Sequence, residues 1–339
     1  MNDLILNELS YPFKNKYDAI AGIKTFIETF GAASTLGLTR LRIHENIGKK
    51  LYRLEIAPGY YVSDWLNSPC DQQTAAGETA KKEASPFDLR NRFREITANA
   101  PFITDYEPIE KEEFDRSSFE IALSGGETKA AEGLGTAFLL DTIAMSFLSG
   151  SFWDTCKIER LKRYVIKEDG GDYEEFVEVR HVSRPAHIET HRQWSDKKKR
   201  ESLKTAGDLW DRREEFFPHL VLCGSIEQQL KTIIGIGSSY FNQLIDRLKL
   251  LDAYAKNWTS GSFSESEVKK SYGLDVSGES PYTMKKYGNQ RRFRLPDGRK
   301  EYFEMHIKTG QLRFHFFPDE ETHRIYVGYI GPHLRTITD

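Results

Sequence analysis

The chain has little cysteine and no cysteine motif. Its 339 residues include three cysteines, Cys70, Cys156 and Cys223, with no C-x-x-C pair, which excludes a disulfide framework and a zinc ribbon. The first ten residues lack the basic start and apolar run of a secretory signal. We therefore expect a cytoplasmic protein that is not exported.

Net charge is also scarce. Lys and Arg number 48 against 51 Asp and Glu, a formal net charge of −3. The whole molecule is therefore not a general polyanion binder, and any such role needs a local basic patch. With 39% hydrophobic residues over this length, the chain has enough apolar material for about two domains.

Long uncharged apolar segments are missing as well, with one near exception. Residues 133–153 carry a single charge, Asp141, and a central aspartate costs about 3 kcal/mol in a bilayer. Several glycines and serines interrupt the same segment. We expect a buried helix over residues 129–148 and no membrane association.

The order of patterns predicts an α+β fold with two domains. Residues 1–205 are expected to form a mixed α/β domain with a mobile loop at 67–86, where polar residues dominate. The polar segment 193–205, with cations at 197–200, is typical of a solvated helix or linker and sets the boundary. Within this domain we expect strands at 4–9, 51–57, 157–165 and 173–181, and helices at 17–36 and from Pro86 to just before Pro101.

Residues 206–339 predict a helical hairpin followed by an antiparallel β-meander. An amphipathic helix begins after Ser238 as its cap and places apolar residues on one stripe. Strand patterns separated by short turns follow at 290–295, 300–307, 312–317 and 324–330.

Alternation along these strands predicts one packed face and one polar face. Leu312, Phe314 and Phe316 share a face, and Arg313 and His315 lie on the other. The preceding strand has the same pattern. If the register allows, neighbouring strands bring together Glu304, His306, Lys308, Arg313 and His315.

The meander region is locally basic. Residues 285–335 contain 11 Lys and Arg against 6 Asp and Glu, together with four of the nine histidines. A basic face with aromatic residues suits binding of RNA or DNA, because cations neutralise phosphates while rings stack on unpaired bases. The same residue types can cleave RNA without a metal, and an ordinary solvent-facing sheet remains an alternative.

Three segments carry a family resemblance: residues 303–308 (F-E-M-H-I-K), 312–317 (L-R-F-H-F-F) and 324–330 (R-I-Y-V-G-Y-I). With the two preceding helices they resemble the RelE/ParE-type toxin fold, a small helix-plus-sheet module often used as an mRNA interferase. The resemblance covers residues 206–339. Members of this group are far smaller, and ParE-like members act on a topoisomerase, so the fold alone does not fix the activity.

The resemblance implies a cytoplasmic bacterial protein of toxin or phage-defence type, with a possible metal-independent RNase activity and no cofactor. In it Lys308, Arg313, Arg324 and Tyr329 stand for the groups at the phosphate. His306, His315 and His333 are additional candidates for proton transfer, and the first two complete the predicted catalytic set. The predicted nucleic-acid-binding residues are Lys285, Lys286, Arg291, Arg292, Arg294, His333 and Arg335.

Other patterns point to weaker alternatives. His187 and His191 in H-I-E-T-H suit a metal together with His181 or His219, but we interpret them as exposed histidines at a helix start. Residues 124–128 are glycine-rich without a phosphate-loop motif, Glu304-x-His306-x-Lys308 only approaches a nuclease motif, and the five tryptophans are expected to be packing anchors. The alternative function is a non-catalytic scaffold whose basic sheet docks nucleic acid or protein and whose N-terminal domain binds a protein partner.

Overall fold

The structure, a computed structural model, describes residues 3–44, 51–68, 85–98, 100–102, 114–167, 170–233 and 239–337. The chain divides into two compact units, Met1–Lys198 and Lys199–Asp339. Helices and strands occur in both, so the fold class is α+β, as predicted. Most of the predicted loop at 67–86 and the predicted cap Ser238 lie outside the described residues.

A seven-stranded mixed sheet forms the centre of the first unit, with the strand order β2-β1-β7-β9-β8-β5-β6. Strand β1 pairs in parallel with β2 and with β7, and β7 pairs in parallel with β9. The pairs β9–β8, β8–β5 and β5–β6 are antiparallel. A separate pair, β3 and β4, is antiparallel. The strands are β1 (Asp3–Leu6), β2 (Arg40–Arg42), β3 (Glu55–Ala57), β4 (Tyr60–Tyr61), β5 (Ser117–Ala122), β6 (Thr128–Ala130), β7 (Ile143–Met145), β8 (Lys157–Ile166) and β9 (Asp172–Val182).

Helices cover both faces of this sheet and give it two apolar cores. They are α1 (Lys16–Ala33), α2 (Val62–Asn67), α3 (Pro86–Ala98), α4 (Glu132–Leu139) and α5 (Arg192–Glu201). Helix α1 begins where the side chain of Asn15 accepts a hydrogen bond from the backbone N–H of Asp18. Its apolar stripe, with Ile23, Phe26 and Ile27, is buried.

The prediction of one buried helix over residues 129–148 is wrong. The segment forms β6, the short helix α4 and then β7. The chain turns at Asp141, whose backbone φ is 45°. Strand β7 lies between two parallel neighbours and is buried on both faces, so its residues are continuously apolar and have no strand-like alternation.

Two further local predictions need correction. Residues 51–57 begin with a 3₁₀ turn, Leu51–Arg53, and only the last three form a strand. His187 and His191 are not exposed: they lie in the 3₁₀ segment Pro185–His191 and are buried. His191 Nε2 lies 3.1 Å from the carbonyl oxygen of His181, and His187 Nε2 lies 3.3 Å from Asp154. These contacts turn both rings inward.

The second unit contains a five-stranded sheet with the order β10-β16-β15-β14-β11. Its helices are α6 (Ala206–Asp211), α7 (Arg213–Phe216), α8 (Ser225–Ile233), α9 (Ser239–Asn257), α10 (Glu265–Tyr272) and α11 (Pro281–Tyr287). Its strands are β10 (Leu220–Leu222), β11 (Val276–Ser277), β12 (Arg292–Arg294), β13 (Lys300–Tyr302), β14 (Met305–Thr309), β15 (Leu312–Asp319) and β16 (Arg324–Pro332).

The two faces of this sheet are covered differently. Phe314 and Phe316 of β15 belong to a large core together with the apolar stripe of α9, which confirms the predicted packed face. The predicted single meander is divided: β14, β15 and β16 form it, whereas β12 and β13 form a separate hairpin. Phe293 of this hairpin and Phe303 contribute to a smaller core.

A β-bulge in β16 determines which of its residues lie opposite β15 on the second face of the sheet. The register between β15 and β16 shifts between His315 and Phe316, so that His315 pairs with Tyr329 and Phe316 pairs with Val327. Gly328 is the extra residue. A Cβ atom at this position would lie 2.6 Å from the ring of Phe303, so the bulge and the covering Phe303 ring require glycine here.

Candidate functional site

The antiparallel register brings the predicted side chains together. His306 of β14 pairs with His315 of β15, and Lys308 pairs with Arg313. Tyr329 of β16 lies opposite His315 on the other side. The imidazole centroids of His306 and His315 are 5.2 Å apart, and the Tyr329 ring meets His315 edge-on at 5.7 Å.

The two histidines are buried rather than displayed on an open polar face. His306 is 6% exposed and His315 is 1% exposed. We call residues 279–291 the covering segment. Two backbone hydrogen bonds hold it in place: Glu279 N–H donates to the carbonyl of Glu304, and Phe303 N–H donates to the carbonyl of Arg291. Part of the predicted polar face is therefore interior.

Glu279 and Arg291 complete this interior group, which we call the histidine cluster (Glu279, Arg291, His306 and His315). Arg291 Nε donates a 2.7 Å hydrogen bond to Glu279 Oε1, and Arg291 Nη2 lies 3.4 Å from the carbonyl oxygen of Leu334. The side chains of Arg291 and Glu279 are 0% and 6% exposed. A buried charge pair of this kind is costly to break from either side.

Burial keeps both imidazoles of the cluster neutral. It lowers the pKa of His315 to about 3, with a further contribution from His306. Burial also lowers the pKa of His306, against the opposing attraction of the Glu279 carboxylate. Neutral imidazoles accept protons or bind metal ions, and are poor electrostatic partners for phosphate.

Three side chains of the cluster have the donor types and spacing of metal ligands. One ligand atom each from Glu279, His306 and His315 lies within 4.8 Å of the others. Among the residues that the structure describes, this is the one such group of three or more.

The three cations of the predicted catalytic set lie outside the histidine cluster, whereas Tyr329 lies against His315. Lys308 is exposed, and Arg313 Nη1 donates to the carbonyls of Gly310 and Leu312. Arg324 pairs with Asp319 at the opposite end of β16. The Tyr329 hydroxyl donates to the carbonyl of Pro332 at 2.8 Å, and burial raises its pKa.

The predicted nucleic-acid-binding residues are exposed with one exception. Arg291 lies in the histidine cluster and does not reach the surface, because its guanidinium pairs with the buried Glu279 carboxylate. The exposed ones are Lys285, Lys286, Arg292, Arg294, His333 and Arg335.

Two of these exposed cations line a groove of about 770 Å³ between the β12–β13 hairpin and the segment that links α6 to α8. We call it the basic groove. Its lining residues are Trp210, Arg213, Leu222, Gly224, Ser225, Arg292, Phe293, Arg294, Leu295, Pro296 and Lys300.

The basic groove combines positive charge with aromatic surface. Among its described lining residues, four are cationic and none is acidic. The Arg213 guanidinium lies over the Trp210 ring at 4.4 Å from the centroid. Gly224 and Ser225 mark the start of α8, whose amino-terminal dipole adds partial positive charge.

Sequence reasoning missed Arg213, Trp210 and Glu279 as site residues. Trp210 and Arg213 precede residue 285, where the basic segment begins, by 75 and 72 residues. The pairing of β10 with β16 and the contact of Ser225 with Gly328 bring that part of the chain to the sheet. Glu279 is close to β11, whose two residues are too few to give a strand pattern. Local sequence carries no signal for either contact.

No family model, curated protein or solved structure matches this chain. In the described ranges, none of the helices combines the length and hydropathy needed to cross a bilayer.

Proposed function

We propose that the second unit binds single-stranded nucleic acid in the basic groove. The observation that carries the proposal is the composition of the groove wall: Arg213, Arg292, Arg294 and Lys300 face one concavity with no acidic residue among its described lining. Guanidinium groups bind phosphate through paired N–H donors, so closely spaced arginines suit a phosphodiester backbone.

The aromatic residues favour an unpaired strand over a duplex. Trp210 and Phe293 are partly exposed in the groove wall. Bases of a single strand stack on such rings with a gain of about 1–3 kcal/mol per base, whereas paired bases are already stacked on each other. We therefore choose single-stranded RNA as the probe and single-stranded DNA as its comparison.

Metal-independent RNA cleavage is a second candidate, favoured by the meeting of His306, His315 and Tyr329 on one face. In that reaction a base removes the 2′-OH proton, the oxygen attacks phosphorus, and the 5′ oxygen leaves with a proton from an acid. The burial of both imidazoles argues against their direct contact with a phosphodiester. Binding without turnover is therefore the function that we favour, with the cytoplasm of a bacterial cell as the expected location.

The test is a titration of the full chain against a fluorescent single-stranded RNA in excess EDTA at low salt. Arg292→Glu with Arg294→Glu should lower the affinity at least a hundredfold, because two attractive contacts become repulsive. Lys256→Glu with Lys270→Glu, at two exposed sites on α9 and α10, is the control with the same change of charge. Equal loss of affinity in both double variants would show that the basic groove is not the RNA-binding site.

The same samples separate binding from cleavage when they are examined on a denaturing gel. Intact RNA in the presence of a mobility shift supports a binder. Cleavage in EDTA that disappears in His306→Gln and persists in His219→Gln would support the RNase candidate instead. Ribosomes added in a parallel reaction test whether cleavage requires them.

A further inference from the structure

The histidine cluster has no role in nucleic-acid binding as proposed above, and its geometry suggests another one. Glu279 follows β11, His306 lies on β14 and His315 lies on β15, so three separate segments converge. All three side chains are more than nine-tenths buried. Interior groups of this kind need partners, because an unpaired buried polar atom is unfavourable.

The outer nitrogen of each imidazole already has a partner. His315 Nδ1 lies 3.1 Å from the carbonyl oxygen of Phe303, which only a protonated Nδ1 satisfies. His306 Nε2 lies 3.3 Å from the hydroxyl of Ser277. The Phe303 carbonyl places the proton on His315 Nδ1 and the lone pair on Nε2. The Ser277 hydroxyl can accept from His306 Nε2, and in that tautomer the lone pair lies on His306 Nδ1, an arrangement typical of metal-binding histidines that are oriented by hydrogen bonds.

The inner nitrogen of His306 lacks a regular hydrogen-bond partner. His306 Nδ1 is buried and makes no hydrogen bond of normal length and angle with the described residues, although the Glu304 carbonyl is near enough to the imidazole to raise its pKa. It lies 3.8 Å from Glu279 Oε1, too far for a hydrogen bond. Arg291 Nη1 is also buried without a hydrogen-bond partner among the described residues. The cluster therefore contains two buried polar atoms without a regular hydrogen bond to the described residues, and of these only His306 Nδ1 can bind a metal ion.

We propose that Glu279, His306 and His315 bind a divalent transition-metal ion, with Zn²⁺ as the reference ion. Two imidazole nitrogens and one carboxylate oxygen form a donor set that suits Zn²⁺ and leaves a fourth position open. Zinc–ligand bonds of about 2.0–2.2 Å place tetrahedral donors roughly 3.4 Å apart. The ligand atoms lie within 4.8 Å of one another, so a small inward shift completes the site.

Arg291 opposes the ion and sets its expected affinity. The guanidinium balances the Glu279 charge, so the cluster is close to neutral before the metal binds and doubly positive afterwards. The affinity should therefore be weaker than that of a structural zinc site with thiolate ligands. Removal of this cation in Arg291→Met should tighten Zn²⁺ binding at least tenfold, a change that a merely structural pair does not predict.

The experiment uses the full chain after treatment with a chelator, titrated with Zn²⁺ against a chromogenic competitor. Wild-type protein and His219→Gln should bind one Zn²⁺ per chain with equal affinity. His219 pairs with Asp252 at a half-exposed site of the same unit and so controls for surface binding. His306→Gln and Glu279→Gln should each bind at least tenfold more weakly, with circular dichroism confirming that they are folded.

Cobalt provides a measurement that does not depend on any variant. Co²⁺ added to wild-type protein should give the strong visible bands of a four-coordinate ion, and Zn²⁺ should remove them. Absence of these bands together with no retained Zn²⁺ would overturn the proposal, as would equal binding by folded His306→Gln and wild-type protein. RNA affinity is measured separately, so failure of the metal site leaves the basic groove untouched.

Discussion

Phe293 stacks on Tyr329, with the ring centroids 5.8 Å apart and the planes inclined by 17°. Phe293 lines the basic groove, and Tyr329 meets His315 edge-on. This pair of rings therefore connects the groove wall with the histidine cluster. It also holds the hairpin of β12 and β13 against β16, because Phe293 lies on β12 and Tyr329 lies on β16.

Phe293→Ala should weaken RNA binding and destabilise the second unit together. The loss of one stacking surface corresponds to about tenfold in affinity, and the removed ring contacts cost about 2 kcal/mol of unfolding free energy. Phe293→Trp keeps an aromatic face and serves as the matched variant. If both variants bind RNA as wild-type protein does, Phe293 has no part in recognition. Fluorescence anisotropy and urea unfolding provide the two measurements.

Gly328→Ala should destabilise the second unit by about 1–3 kcal/mol, because a new methyl group is forced into filled space. Its Cβ would lie 2.6 Å from Phe303 and 2.9 Å from Phe293. Gly278→Ala meets its nearest atom at 3.6 Å and should leave stability almost unchanged. Urea unfolding of the two variants compares them directly, and equal midpoints would contradict the packing that we describe.

The first unit should lose stability as the pH falls below about 6.5. His181 is fully buried, with its ring nitrogens at 2.7 Å from the carbonyl of Thr155 and 2.6 Å from the hydroxyl of Ser146. Burial lowers its pKa to about 4. Between the ordinary value and this one, the unfolded chain binds a proton that the folded chain does not. His181 alone therefore lowers the stability toward lower pH by up to about 1.4 kcal/mol per pH unit, and His187 and His191, whose pKa values are also lowered by burial, act in the same direction.

Amide exchange in β7 and β9, corrected for the intrinsic rate at each pH, measures this slope. His181→Gln should be less stable at neutral pH and should show a smaller slope. An unchanged slope in His181→Gln would assign the pH dependence to other groups.

Asp3→Asn should lower the stability of the first unit by about 3–5 kcal/mol, because it leaves a buried arginine without its counter-charge. Asp3 is fully buried and accepts hydrogen bonds from Arg40 and Arg42, of which Arg42 is also buried. Burial opposes ionisation of Asp3, but the two arginines outweigh it and lower its pKa. The ion pairs of Asp3 with the two arginines should stabilise the fold above the ordinary aspartate pKa near 3.8, and this contribution to the free energy of unfolding should disappear in stronger acid. Glu28→Gln on the exposed face of α1 is the control in urea unfolding.

Strong local patterns predicted the correct elements. The apolar stripe of α1, the proline at the start of α3 and the alternation in β15 each carry their own signal, because the period of the apolar residues reports the local geometry. The strands β8 and β9 were predicted as a pair from the turn residues between them. The sequence also limits the register of β14 and β15, since the short turn at Gly310 restricts how the two strands can pair.

The features that could not be predicted from the sequence depend on contacts between segments that are far apart in the chain. Strand β7 is apolar throughout because it is covered on both faces, so its pattern does not distinguish a strand from a helix. Arg291 is next to Arg292 in sequence, but one is buried with Glu279 and the other faces the basic groove. Only the position of the covering segment separates them, and no local pattern encodes it.

The salt dependence of RNA affinity is the most direct test of nucleic-acid binding by the basic groove. Four cations of the basic groove predict a slope of log affinity against log salt of about −2.8 for a single strand. Arg292→Gln with Arg294→Gln should reduce this slope to about −1.4. A wild-type slope near zero, or an unchanged slope in the double variant, would contradict nucleic-acid binding by this groove.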